Sequence, residues 1–343
     1  VAGAPSPPQP VPPGESTLTI TVTPPGDAPI TYQVALSRAE PVFDYLKSGA
    51  PRESDLLGAS VALSGDLLAV GAPGEDALGQ DSGAVYLYRK GPGGWRQEAR
   101  LVASGGEARD DFGAAVAVSG DVVAVGAPAE DSRATGVNGD EKDNGADRSG
   151  AVYVFRRSAG VWAQEAYLKA SNTDAGDRFG SALSLDGERL AVGAYAEASN
   201  ATGVGADQVG NGAPGRGAVY VFRRGLSTWA QEAYLKPSNR PFFFGWALSL
   251  GGELLAVGAP GDSSPATGVG GDQLGTTAMQ SGAVYVFKRS GLSWSQEAYL
   301  KASNTEAGDQ FGSSVALSGD ALVTGAPEED SASTGINGVQ GDN

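Results

Sequence analysis

The sequence predicts an all-β fold, a β-propeller of four-stranded antiparallel blades, with five copies of one unit in the chain and the last copy incomplete. Three observations predict it. A pair of glycine-containing motifs recurs five times in register. Each complete copy holds four short strand-like runs. Those runs grade from small residues, through continuously apolar ones, to an alternating one, as sheets standing radially around an axis require.

Composition sets the outer bounds. With 343 residues and 41% hydrophobic content the chain can fill a large core, and 52 glycines with a single Met favour many short strands and tight turns over a helix bundle. The net charge of -16 argues against nucleic-acid phosphates and anionic membrane surfaces as partners, since both need clustered Lys and Arg. Cations, neutral sugars and basic protein patches remain. There is no Cys and no His, which removes disulfides, thiolate nucleophiles, imidazole bases and nearly every zinc or copper site. The expectation is therefore a protein that is not an enzyme. No apolar stretch approaches the roughly 20 residues needed to span a bilayer, so no direct membrane insertion is expected. No signal peptide is visible; Val1 is not an initiator Met and Asn343 falls inside a repeat, which reads as a processed or partial product.

In chain order, residues 1–14 form a Pro-rich linker, with six prolines between Ala4 and Gly14 favouring a stiff polyproline II spacer. Residues 15–40 read as a β-hairpin: Ser16 to Thr23 and Ile30 to Ser37 alternate with period two around a Pro-Pro-Gly-Asp turn. Residues 41–343 are the repeat region. Leu57-Gly58, Phe112-Gly113, Phe179-Gly180, Phe244-Gly245 and Phe311-Gly312 are separated by 55, 67, 65 and 67 residues, and the glycines Gly71, Gly126, Gly193, Gly258 and Gly325 follow with the same spacings. The third copy shows the four strands, A to D, as Ser181 to Leu185, Arg189 to Val192, Ala218 to Arg223 and Trp229 to Lys236. B and C are nearly continuous apolar runs, the mark of strands covered on both faces. D alternates, with Trp229, Gln231 and Ala233 on one face and Ala230, Glu232 and Tyr234 on the other.

The motif pair, Phe-Gly before strand A and Gly-Ala-Pro after strand B, resembles the FG-GAP repeats of integrin alpha-subunit propellers and their bacterial surface-protein relatives. Strands such as Ser281 to Phe287 and Tyr299 to Asn304 are similar to those of the bacterial relatives. The resemblance implies a propeller with an extracellular or cell-surface binding role, and a hairpin similar to the last strands of the cadherin-like sandwich domains that often precede such repeats. The calcium hairpin of integrin repeats is shortened here to turns such as Ser64-Gly65-Asp66 and Asp186-Gly187-Glu188. A turn that short supplies one carboxylate where Ca2+ takes six to eight oxygens, so the family's calcium site does not carry over. Leu57 stands for Phe in the first copy and Tyr195 for Pro in the third.

In an up-and-down meander the A–B and C–D turns share one end, and the B–C loops and D–A connections share the other. Strand C runs into cation pairs at the first end (Arg89 and Lys90, Arg156 and Arg157, Arg223 and Arg224, Lys288 and Arg289), which predicts a more basic end. The second end collects long loops rich in Asp, Asn and Gly. Within them Ca2+ is the cofactor the oxygen ligands would suit, at Glu130, Asp131, Asn138, Asp140 and Asp143 in the second copy and Glu329, Asp330, Asn337 and Asp342 in the fifth. The competing reading makes these solvated loops whose residues serve turn geometry. The D–A connections add Asp110, Asp111, Asp174, Asp177, Glu306 and Asp309 as candidate partner contacts on the same end. The repeated Trp95, Trp162, Trp229 and Trp294 read as packing between blades ahead of sugar platforms.

The expected function is a binding or adhesion scaffold that presents its acidic loops to a protein or glycan partner. The alternative is a structural subunit that self-associates, its incomplete blade completed by a strand pair from another chain. Cis closure by the hairpin and continuation into a larger ring are the other completions.

Overall fold

The computed structural model describes residues 14–22, 30–38, 44–332 and 340–341. The chain divides into two compact units, Val1–Leu46 and Lys47–Asn343. In the first, β1 (Gly14–Val22) pairs antiparallel with β2 (Ile30–Arg38), and Leu18 lies opposite Val34. The Pro-Pro-Gly-Asp turn and the Pro-rich segment up to residue 13 lie outside the described residues.

The second unit is a succession of antiparallel meanders. The first sheet contains β3 (Ser60–Ser64), β4 (Leu67–Ala72), β5 (Ala84–Gly91) and β6 (Gly94–Leu101). The second contains β7 (Ala115–Ser119), β8 (Val122–Ala127), β9 (Ala151–Ser158) and β10 (Val161–Leu168). The third contains β11 (Ala182–Asp186), β12 (Arg189–Ala194), β13 (Ala218–Arg224) and β14 (Trp229–Leu235). The fourth contains β15 (Ala247–Gly251), β16 (Leu254–Ala259), β17 (Ala283–Ser290) and β18 (Ser293–Leu300), and β19 (Ser314–Ser318) with β20 (Ala321–Gly325) forms a two-stranded fifth. Each strand-A element packs beside the next, β3 on β7, β7 on β11, β11 on β15 and β15 on β19. That is the arrangement of propeller blades, with the small residues of strand A on the crowded inner side.

The core lies between neighbouring blades. Val122, Ala124, Val152 and Val154 of the second blade meet Leu190, Val192, Tyr220 and Phe222 of the third in one buried cluster, while Val123, Val125, Tyr153 and Phe155 face the first blade. Both faces of strands B and C are therefore covered, which is why they carry no polar alternation. Full burial of each such side chain contributes about 1.5–3 kcal/mol. Phe112, Phe179 and Phe244 are fully buried and meet the strand-C aromatics edge-on, at 5.5 Å between Phe112 and Tyr153 and 5.2 Å between Phe179 and Tyr220.

The two motif glycines meet at the seams. The N–H of Gly113 donates to the Gly126 carbonyl at 2.9 Å within its blade, and its own carbonyl oxygen faces Gly71 of the preceding blade. A Cβ at Gly71 would collide with that oxygen, and Gly126, Gly193 and Gly258 face Gly180, Gly245 and Gly312 in the same way. Gly113 also sits at φ +95°, a conformation L side chains rarely adopt.

The alternation expected for strand D is interrupted. A β-bulge falls in β6, β10, β14 and β18; in β14, Gln231 pairs with Phe222 and Ala233 with Val221, leaving Glu232 as the extra residue. The bulge turns Glu98, Glu165 and Glu232 toward the seam. Glu165 accepts from Arg156 (2.9 Å) in its own blade and from Arg224 (2.7 Å) and the Trp229 indole (3.0 Å) of the next. Glu232 accepts likewise from Arg289 and Trp294, and Glu98 from Trp162 at 2.8 Å. Trp162, Trp229 and Trp294 thus pack between blades, as expected, whereas Trp95 lies beside Lys90 of its own blade. The basic end does not form: Arg89, Arg156, Arg224 and Arg289 are ion-paired with these glutamates and with Asp66, Glu188 and Glu253 of the A–B turns. At least one arginine of each strand-C cation pair thus enters a charge network whose acids come from the bulge and from the A–B turns.

Candidate binding surface

The B–C loops and D–A connections do gather at one end. In the second blade the loop turns back along the outer strand, with Asn138 N–H donating to the Tyr167 carbonyl (2.7 Å) and Tyr167 N–H to the Asn138 side-chain oxygen (3.0 Å). Phe179 N–H at the following D–A connection donates to Ser149 O at 2.9 Å.

Beneath these loops lies a buried ionic knot. Lys169, at the end of strand D, is fully buried and donates to Glu130 Oε2 (2.7 Å) and Ser149 Oγ (2.7 Å), while the Tyr167 hydroxyl donates to Glu130 Oε1 (2.7 Å). Lys236 with Glu197 and Tyr234, and Lys301 with Asp262 and Tyr299, repeat it. Burial pulls all three lysines below the ordinary amine range, against the opposing pull of the carboxylates. The first blade substitutes Arg100 on Glu75. The lysine partner was legible as the recurrent Tyr-Leu-Lys strand end, but nothing local in the sequence ties it to the acid about 39 residues earlier.

The expected calcium ligands are accordingly dispersed. Glu130 is in the knot, Asn138 closes the strand edge, Asp131 accepts from Arg148 N–H (2.7 Å), and Asp140 accepts from Lys142 N–H (3.0 Å). Asp143 pairs with Arg133, whose backbone and side chain hold the carboxyl down at about 2. In the fifth copy Glu329 accepts from Asn304 (2.8 Å) and Ser331, Asp330 is exposed, and Asn337 and Asp342 lie outside the described residues. Among the described residues no three acidic side chains converge as a metal centre would need.

The D–A acids divide by role. Asp110, Asp177 and Asp309 are buried and cap their own turns, accepting from the N–H of Glu107 (2.7 Å), Asp174 (3.1 Å) and Glu306 (2.8 Å). Burial, with Glu130 and Glu197 nearby, raises Asp110 and Asp177 to about 7. Asp174 is half-buried against Asn211, Glu306 is exposed, and Asp111 lines a hollow of about 690 Å³ with Arg109, Arg148 and Arg178. This end of the molecule is therefore charge-mixed.

The loop end also holds a feature that the five in-register motifs had hidden. The connection before the fourth copy is two residues shorter, Asn239 to Phe244 against Asn172 to Phe179 and Asn304 to Phe311, and reads Arg240-Pro241-Phe242-Phe243. Phe242 (43% exposed) and Trp246 (44% exposed) stand out from the surface beside Tyr195 and Phe243. Aligning the copies column by column would have exposed it; counting motif spacings did not.

A loop-bearing propeller of this repeat defines a class, and the class has a family. The FG-GAP repeat family profile matches residues 51–88, 95–155, 162–222 and 294–339. The chain belongs to the FG-GAP repeat family. Members are generally non-enzymatic and are typically extracellular or surface-associated. The stretch between the third and fourth matches, 223–293, contains the divergent fourth copy. No curated protein matches the chain. Among solved structures, "Structure of YjhT" is 14% identical at a TM-score of 0.39, covering 77% of this chain and 70% of that one. "Crystal structure of the Saccharomyces cerevisiae Sqt1" is 9% identical at 0.34, covering 79% and 80%. At these scores neither bears on ligand or function.

Proposed function

We propose that the chain is an extracellular binding or adhesion scaffold whose loop end engages a protein or glycan partner. The observation that carries this reading is the ionic knot. A buried Lys–carboxylate pair contributes little net stability compared with a well-packed apolar pair, but it fixes geometry once formed. Three blades use it at one place, under the B–C loops, and it holds those long loops against strand D as a preorganised surface. The opposite end has only short turns knitted by arginines.

Because the chain has no Cys, one introduced thiol addresses one end at a time. Lys142→Cys lies exposed at the loop end and Asp320→Cys exposed at a turn. Each variant, coupled to a bulky maleimide polymer, is tested for adhesion to immobilised glycans and extracellular-matrix proteins. Coupling at residue 142 should abolish capture and coupling at 320 should leave it. Capture blocked from the turn alone would overturn the assignment.

A further inference from the structure

The third and fourth copies depart from their siblings in a way the fold does not require. Tyr195 stands where the others carry Pro73, Pro128, Pro260 and Pro327, and Arg216 where Ser82, Ser149 and Ser281 stand. Phe242 replaces Asp55, Asp110, Asp177 and Asp309, and Trp246 replaces Ala59, Ala114, Ser181 and Ser313. At these positions the other copies carry Pro, Ser, Asp or Ala. These four substitutions, drawn from two blades and from positions up to 51 residues apart, nevertheless come together at the seam between the third and fourth blades.

Their geometry is that of a lined site. Trp246 meets Tyr195 at 5.0 Å and Phe243 at 5.9 Å between ring centroids, and Phe243 meets Phe242 at 6.2 Å. The Arg216 guanidinium lies 4.1 Å over the Phe242 ring and donates to the Arg240 carbonyl oxygen. Two contiguous hollows follow the aromatic row and share Gly261. One, of about 620 Å³, is lined by Arg216, Arg240 and Phe242 with Ser238, Asn239 and Gln273; the other, of about 180 Å³, by Phe243, Trp246, Gln280 and Gln310. Core packing does not account for Phe242 and Trp246, which are both more than two-fifths exposed.

Charge narrows the ligand. Among the described residues neither Arg216 nor Arg240 has a carboxylate partner, in contrast to the paired arginines of the turn end. Both arginines line the larger hollow, and burial together with the neighbouring Arg240 holds Arg216 below the ordinary guanidinium range. The acid that lines the same hollow, Asp262, is buried and held by Lys301, Tyr285 and Tyr299. A two-cation pocket on a chain of net charge -16 selects an anion. Partly exposed aromatic rings in a row suit the C–H faces of a pyranose, and an amide and hydroxyl lip suits its hydroxyls. A bare phosphate would use the arginines without the rings, and a neutral sugar the rings without the arginines.

We infer that the seam between the third and fourth blades is a binding site for an acidic glycan, a pyranose bearing a carboxylate, with Arg216 and Arg240 holding the anion and Phe242 and Trp246 the ring faces. This deepens the reading of the loop end as the binding surface and rests on it.

The test is calorimetric titration of the full chain with trigalacturonate, maltotriose and hexaglutamate. Trigalacturonate should bind and maltotriose should not. Arg240→Gln, on an exposed loop, should weaken binding at least tenfold with an unchanged melting temperature, and Phe242→Ala should do the same. Lys142→Ala, elsewhere on the loop end, should leave it intact. Binding of hexaglutamate alone, equal binding of maltotriose, or indifference to Arg240→Gln would overturn the inference. If trigalacturonate fails while coupling at residue 142 still abolishes adhesion, the glycan site is lost and the loop-end reading stands; if that coupling is also without effect, both fall.

Discussion

Lys236 and Glu197 show how a charged pair can be buried in a propeller. Both are nearly inaccessible, yet every proton of the ammonium group has an acceptor in Glu197, Ser199 and Gly217. Removing one partner leaves the other charge buried alone, so Lys236→Met should cost about 3–5 kcal/mol, read as a drop in the urea midpoint. The buried aspartates act in the opposite sense. Asp110 and Asp177 titrate near 7 in the folded chain, above the ordinary carboxyl range. The folded state then binds protons more tightly than the unfolded one, so these groups destabilise the fold progressively as pH rises from about 4 through 7. Asp110→Asn keeps the acceptor for Glu107 N–H and removes the charge. It should raise stability at pH 8 by about 1–3 kcal/mol, leave it unchanged at pH 4, and flatten the profile between, as followed by thermal melts in a pH series. A parallel shift of the whole profile would contradict the titration.

Among the elements, strand D supplies the polar link between blades, beside the apolar seam made by strands A, B and C. Its bulge costs one ladder position and in return points a glutamate across the seam, where an indole and an arginine of the next blade meet it. Glu165→Ala leaves the Trp229 indole N–H and two guanidiniums without that acceptor, and should destabilise by about 1–3 kcal/mol, with Trp229 fluorescence shifting to the red as the seam loosens. The strands themselves were legible: the apolar runs of B and C and the small residues of A placed them within two residues of β11 to β14. The bulge was not, because alternation in Trp229 to Tyr234 looks the same on paper whether or not one residue is left over. Its detection needs the partner strand.

For the whole molecule, the division into a loop end and a turn end follows from the meander, but the charge division expected from the sequence does not survive folding. Arginines at the turn end are matched by Glu98, Glu165 and Glu232, and acids at the loop end are partly buried, capped or paired. With Glu130 tied to Lys169 and Asp143 to Arg133, millimolar Ca2+ followed by EGTA should leave the melting temperature unmoved. A reversible rise with Ca2+ would return the loops to the calcium reading. The first and fifth blades leave apolar side chains outward, with Val61, Leu63 and Val323 each more than three-fifths exposed, so sedimentation velocity of the chain should show mass rising with concentration, and Val61→Ser with Leu63→Ser should reduce it.

Repetition determined the architecture from sequence alone. A unit copied five times must bury the same faces each time, so motif glycines, strand pattern and seam aromatics report one another, and the propeller follows from the repeats. Pairing across distance was decided only in three dimensions. Which acid meets Lys169, which glutamate meets Trp229, and that Tyr195, Arg216, Phe242 and Trp246 share one surface depend on residues tens of positions apart being brought within a few ångströms, and a charge read along the chain carries no sign of the partner that folding supplies.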